Sequence, residues 1–276
     1  MTQRSRSRTP GRHRWLLLAA LWALTDGVAA APVLTISLSA HDRRYLADTN
    51  QNVTIVLPEP ASGDGANVVV ALVLQPISDR TRIGFELGPA LYLAHPPVAV
   101  FGSIDIAFSG GGVAYGAAYS FNGASIASAG SGVANYVSIR NNAPDGAGAA
   151  IVVGLAGKVY NQAAGVPTQP SVLNYYLLNR GQTQMICKIE PVAWVFLSTG
   201  LDNGTVVPRT LLQASAPSAT AARGRQRRAA PMPTPQFGTY LPVLLDASEQ
   251  NIIHLDASSN TFQYGAASES QSSEEQ

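Results

Sequence analysis

Cys187 is the only cysteine in 276 residues. A lone thiol excludes an internal disulfide, so stability must come from apolar burial and hydrogen bonds. It lies in the apolar run "TQMICKIEP", where a buried, inert thiol is expected rather than a reactive one. Charge is scarce as well. Lys, Arg, Asp and Glu make up 13% of the chain, against about a quarter in ordinary soluble domains. Of the 18 Lys and Arg residues five fall in the first 30, and of the 17 Asp and Glu one does, which leaves 13 basic and 16 acidic residues beyond them. Four of those basic residues share one short stretch, so the rest is more acidic still. Such a balance argues against nucleic acid as a partner, because phosphate binding needs a broad basic face. Beyond residue 30 no apolar run approaches the roughly 20 residues of a membrane-spanning helix. Helical periodicity is nearly missing too.

The beginning of the chain carries its own signal. "MTQRSRSRTPGRHR" holds five arginines and no acid, and "WLLLAALWAL" (15–24) is a short apolar run. "GVAAAP" follows, with Val28 and Ala30 at the −3 and −1 positions of a cut before Ala31. A basic segment, a short apolar segment and a small-residue site together read as a secretory signal peptide over 1–30. The competing reading is an uncleaved anchor. The mature chain is therefore expected to be secreted, extracellular or periplasmic.

What remains reads as short strands separated by Gly, Pro, Asn and Asp. One short helix is expected in "SAHDRRYLADTN", with Ser39 as its N-cap and Tyr45 and Leu46 facing inward. Strands are expected at 53–57, 67–75, 82–87, 90–94, 98–108, 134–140, 149–156, 172–178, 184–189, 192–198, 240–246, 251–256 and 261–265. This spacing without helices between predicts an all-β, antiparallel β-sandwich. Residues 31–211 would form its core and 240–265 its C-terminal strands. Between them 212–239 reads as a Pro-, Ala- and Arg-rich loop, and 266–276 as a disordered acidic tail.

Two stretches read alike: "VALVLQPISDRTRIGF" (70–85) and "VAWVFLSTGLDNGTVV" (192–207). Each is an almost continuously apolar strand, then a turn with Asp, then a β-branched restart. Neither copy brings a His, a paired acid or an activated Ser. They are expected to be two central hairpins, with Asn203-Gly204 turning the second, and an old duplication into two similar halves or coincidence would account for the likeness. Between them the tract 109–136 is dominated by Gly, Ala and Ser. It reads either as edge strands or a hairpin with small side chains where another layer packs, or as a hairpin that enters membranes.

Several of these segments, "GAAYSFNGASI", "YVSIRNNA", "VGLAGKVYNQ", "LNYYLLNRGQTQ" and "EPVAWVFLSTGLDNGTVV", resemble a family of small exported β-rich proteins of bacteria and fungi. The likeness spans roughly Val68 to Val207 and lies in strand and turn signatures. It implies an exported all-β domain, and it transfers no functional residue. The stretch 212–240 departs from the pattern and looks inserted.

Candidate chemistry is sparse. "RQRR" places Arg225, Arg227 and Arg228 in the Arg-x-Arg-Arg form cut by basic-specific proteases, inside a loop of the kind where nicking concentrates; a plain basic loop or a local anion site are the alternatives. No Gly-x-Ser-x-Gly occurs, which argues against a nucleophile-elbow hydrolase. His254 and Asp256 share one face of a strand and His41-Asp42 is a second pair. A metal or acid–base site would need both pairs together. Asn52 and Asn203 head Asn-x-Thr sequons, relevant in a eukaryotic secretory route. Tyr175 and Tyr176 are candidate ligand contacts, and Trp194 reads as core. No metal, cofactor or catalytic constellation is expected. The reading is a secreted, non-catalytic protein that binds a surface, an extracellular glycan or a protein. The alternatives are a membrane-acting toxin-like protein activated by cleavage after Arg228 and a secreted hydrolase.

Overall fold

A computed structural model describes residues 31–59, 67–75, 78–145, 150–212, 236–246 and 251–266. The signal-like segment, Arg225, Arg227, Arg228 and most of the acidic tail lie outside the described residues. Within them the fold is all-β and sandwich-like, as the strand spacing predicts: seventeen strands in three mostly antiparallel sheets, with one α-helix.

The first strand, β1 (Val33–Ser37), went unrecognised in the sequence. It runs directly into α1 (Ala40–Thr49), where the expected cap is present. Ser39 accepts from the Asp42 amide at 3.1 Å and Asp42 returns a bond to the Ser39 amide at 2.8 Å. This reciprocal pair satisfies two otherwise orphaned donors. Leu46 is fully buried beneath the helix and Tyr45 packs beside it. His41 remains exposed, so this pair is a helix cap and not half of a metal site.

The largest sheet is built around β4 (Arg80–Ala94), β9 (Ala150–Asn161) and β16 (Asn251–Asp256). Its order is β10 (Ser171–Val172), β9, β4, β1, β16 and β17 (Thr261–Tyr264). Two further strands join it, β11 (Tyr176–Asn179) on β9 and β5 (Ile106–Gly112) on β4. β1 thus sits between β4, antiparallel, and β16, parallel. Two expected strands, 82–87 and 90–94, are one: β4 passes through Gly88-Pro89 with a register shift instead of turning. The expected strand 98–108 exists only from Ile106, because Gly102 closes a turn back to Ala99 and Phe101 adopts φ +62°.

A five-stranded sheet runs β14 (Val206–Pro208), β3 (Asn67–Leu74), β2 (Asn52–Val56), β13 (Val192–Ser198) and β15 (Leu241–Leu244). The two similar stretches meet here, and neither is a hairpin. β3 and β13 are the two antiparallel neighbours of β2. β3 leads on into β4, in the other sheet. β13 leads into β14, which pairs with β3 at Val206↔Val69. The likeness marks a shared environment, not two similar halves. Ala193, Val195 and Leu197 face the main core, while Trp194 and Phe196 enter a second core with Leu201, Val207 and Leu212. Buried on both faces, such a strand reads as continuously apolar. At Asn203-Gly204 only Gly204 has positive φ (+81°), and the turn from Asp202 to Thr205 lies against β3 through Gly204 N–H to Val70 O at 2.8 Å.

The Gly/Ala/Ser tract supplies the end of β5, then β6 (Ala117–Phe121) and β7 (Ile126–Ser131). These two form a hairpin in a four-stranded sheet with β8 (Tyr136–Asn141) and β12 (Thr183–Cys187), ordered β12-β8-β6-β7. Close packing explains few of its small residues. A methyl group at Gly132 would lie 2.9 Å from the Ala117 backbone, whereas Gly111, Gly112 and Gly130 face open space. Cys187 ends β12 opposite Tyr136 and is half-buried, less enclosed than its sequence suggests.

Candidate functional site

The site begins where a strand fails. The sequence predicts one strand over 172–178, but the ladder breaks at residues 173–175, between β10 and β11. Leu173 N–H still bonds Leu155 O at 2.9 Å. The next acceptor for β9 is a side chain: Asn174 Oδ1 receives Leu155 N–H at 2.7 Å. With its side chain doing a backbone's task, Asn174 turns its own carbonyl to the Tyr92 hydroxyl, which donates at 2.7 Å. Gly154 makes this possible. A Cβ there would stand 2.1 Å from Asn174 O and 2.6 Å from Tyr92 Cε1.

The break frees Tyr175 from the ladder, Tyr176 resumes it opposite Val153, and two other segments meet their side chains. Asn67, which opens β3, donates from Nδ2 to the Tyr175 hydroxyl at 2.9 Å. Glu59, three residues past β2, accepts the Tyr176 hydroxyl on Oε1 at 2.5 Å. Leu57, Val68, Val69 and Leu173 complete an apolar wall. The open space between them is about 20 Å³, enough for one or two water-sized groups.

Electrostatics here act on one acid, Glu59. Burial raises the Glu59 carboxyl above its ordinary range, a shift opposed by the Tyr176 hydroxyl, by the Asn174 amide and by the charge of Arg209. The Asn174 side chain thus acts on this carboxyl, while its buried Nδ2 makes no hydrogen bond of good geometry. Burial likewise pushes the fully enclosed Tyr92 phenol well above its ordinary value, aided by Tyr175 and Glu59. It stays a neutral donor. Arg209 lies 5.0 Å from the Trp194 ring centre, and Trp194 stacks on Tyr240 at 4.1 Å. Trp194 is core, as its sequence context predicts.

A raised carboxyl pKa has a consequence for stability. The folded state holds the proton more tightly than the unfolded one, so the contribution is complete below the unfolded pKa and fades as pH rises through the folded one. Urea titrations across pH 4 to 8 should show a decline in wild-type stability that Glu59→Gln lacks. A pH-independent difference between the two proteins would contradict this.

The other candidates lie elsewhere. His254 Nδ1 contacts Gly265 O at 3.2 Å. Asp256 caps the turn between β16 and β17, accepting from Ser258 N and Oγ, Ser259 Oγ and Gln263 Nε2. Those bonds, the Ser258 hydroxyl first, lower its pKa. The pair is structural turn chemistry, and no cluster of three or more His, Cys, Asp or Glu suited to a metal occurs among the described residues. Asn52 opens the interior strand β2, and its sequon's Thr54 is buried against Ser198 at 2.6 Å. Asn203 is exposed, with Oδ1 accepting Val73 N–H at 2.7 Å. Sequence reading singled out Tyr175 and Tyr176 but missed Glu59, Asn67 and Asn174. The one local hint was an isolated acid in the apolar setting "VLPEP".

In comparisons with known proteins, no protein-family model, no curated protein and no solved structure matches this chain.

Proposed function

We propose that the chain is an exported, non-catalytic binding protein, and that the cleft at Glu59 is where its glycan or protein ligand docks. One observation carries the reading. Separate segments deliver tyrosine hydroxyls, amides and one half-buried carboxyl to a single apolar-walled recess, the usual makeup of a binding pocket. The groups supply donors and acceptors, and none is paired as a nucleophile with a base, which favours recognition over hydrolysis. The basic and apolar start of the sequence supports export.

The test is a binding screen of the secreted protein on glycan arrays and on displayed extracellular proteins. Any ligand found should bind Tyr176→Phe about tenfold more weakly, the equivalent of one hydrogen bond of about 1.4 kcal/mol, while losing the bond to Glu59 costs about 1 kcal/mol of stability and leaves the protein folded. Equal binding by wild type and Tyr176→Phe would remove the cleft from the function.

The toxin-like reading draws on the exposed Gly/Ala/Ser tract. Its hairpin strands are five and six residues long, against about ten for a membrane-spanning strand. Dye release from liposomes by nicked but not intact protein would be its signature.

A further inference from the structure

We infer that the outer face of the largest sheet, at Arg80 and Arg82, binds an acidic polysaccharide whose carboxylate or sulfate groups seat on the two guanidinium groups. Alternation along β4 sends Ile83 and Phe85 into the core and leaves Arg80 and Arg82 exposed on the opposite face. Neither arginine has an ion pair among the described residues. Glu86 and Asp256, acids on the same face, are already engaged. Glu86 pairs with Lys158 at 3.3 Å, and Asp256 accepts from Ser258, Ser259 and Gln263. Beyond residue 30 the chain holds 13 basic and 16 acidic residues, so two uncompensated cations side by side stand out against a mildly acidic background.

Strand register supplies the neighbours. Arg80 stands opposite Ser37 and Ser37 opposite His254, while Arg82 stands opposite Thr35. Arg80 and His254 are thus two strand spacings or about 10 Å apart, with the Ser37 hydroxyl between them. Gly265 O can only accept, so the His254 Nδ1 that contacts it carries the proton. Nε2 then accepts, and it has no partner among the described residues. Two residues beyond Arg82 the Tyr160 ring covers Gly84, where a Cβ would stand 2.8 Å from Cζ. An aromatic ring and two guanidinium forks therefore follow one another along about 13 Å of β4, with hydroxyl and imidazole groups beside them. Guanidinium forks take the paired oxygens of an anionic group, whereas Nε2 calls for a donor such as a sugar hydroxyl. A polysaccharide bearing acidic groups offers both along one chain. A lipid surface held by charge would need a cluster of about four to eight basic residues, more than stand here.

The probes are polygalacturonate, dextran sulfate and neutral dextran, each immobilised and titrated with the secreted protein by biolayer interferometry. The expected result is saturable binding to at least one acidic polymer, none to dextran, and weakening as salt screens the charges. Which acidic polymer binds separates carboxylate from sulfate. Arg80→Gln and Arg82→Gln should each weaken that binding about tenfold, as the loss of one charge-assisted bond does. Arg140→Gln, which removes the same charge from an exposed site on β8, should not. Arg82→Lys keeps the charge and loses the fork, so it should retain only part of the binding. Equal binding by the Arg80→Gln/Arg82→Gln double variant and by Arg140→Gln would overturn the inference, as would binding to neither acidic polymer. Capture by anionic vesicles but by neither polymer would mean a lipid surface, and the inference fails there too. The cleft at Glu59 shares no residue with this face, so none of these outcomes touches the docking reading.

Discussion

A chain ending at Arg228 will not fold, whereas one merely cut there will stay assembled. The strands beyond the cut are not an appendage. β15 pairs with β13, β16 with the buried strand β1, and β17 with β16. They bring Val243, Leu245, Ile253, Leu255 and Phe262 into the core. At about 1.5–3 kcal/mol for each large apolar side chain buried, their loss removes on the order of 10 kcal/mol. A typical domain has about 5–15 kcal/mol in total. Circular dichroism and size-exclusion chromatography of the truncated chain should report an expanded species without fixed tertiary packing. The nicked protein should elute as one particle and separate only in denaturant, since no disulfide bridges the cut. A truncated chain with native spectra and cooperative unfolding would refute the argument.

Gly154→Ala will be among the most damaging single substitutions. The added methyl meets a backbone oxygen at 2.1 Å and an aromatic ring at 2.6 Å, and neither is the free end of a flexible side chain. Overpacking of this kind costs about 3 kcal/mol. The same displacement would unseat Asn174 and Tyr92, so the Asn174 NH₂ signals should move or vanish even where the protein remains folded. Gly111→Ala, which meets no atom within 4 Å, should stay within about 0.5 kcal/mol of wild type, as surface substitutions do. Urea midpoints of the two variants decide it. Comparable stability would mean that the ladder break adjusts without cost.

Much of this fold is legible because its strands obey local rules. β13 and β16 have their expected bounds, since apolar pattern and flanking turn residues agree there. The cap at Ser39 follows from side-chain chemistry within four residues. The failures share a cause. Gly88-Pro89 reads as a turn, yet a register shift lets β4 continue through it. Asn203-Gly204 reads as a hairpin, yet the chain beyond it crosses to the far side of β3. The site was least legible of all. Tyr175 and Tyr176 are notable in any sequence, but Glu59 and Asn67 reach them only through sheet order. Asn174 matters because it replaces a backbone acceptor, which no pattern of apolar residues encodes.

The pairing of β1 with β16 has one more consequence. Gly265 N–H bonds Ile252 O at 2.9 Å, and Ile252 stands opposite Thr35. The start of β1 and the end of β17 therefore lie at neighbouring positions, two strand spacings or about 10 Å apart. A short Gly/Ser bridge from residue 266 to residue 31 could join them, with new ends opened inside 213–235. Such a circular permutant would present the described strands in a new order along the chain and the same order in space, because sheet adjacency, not chain continuity, holds the last three strands in place.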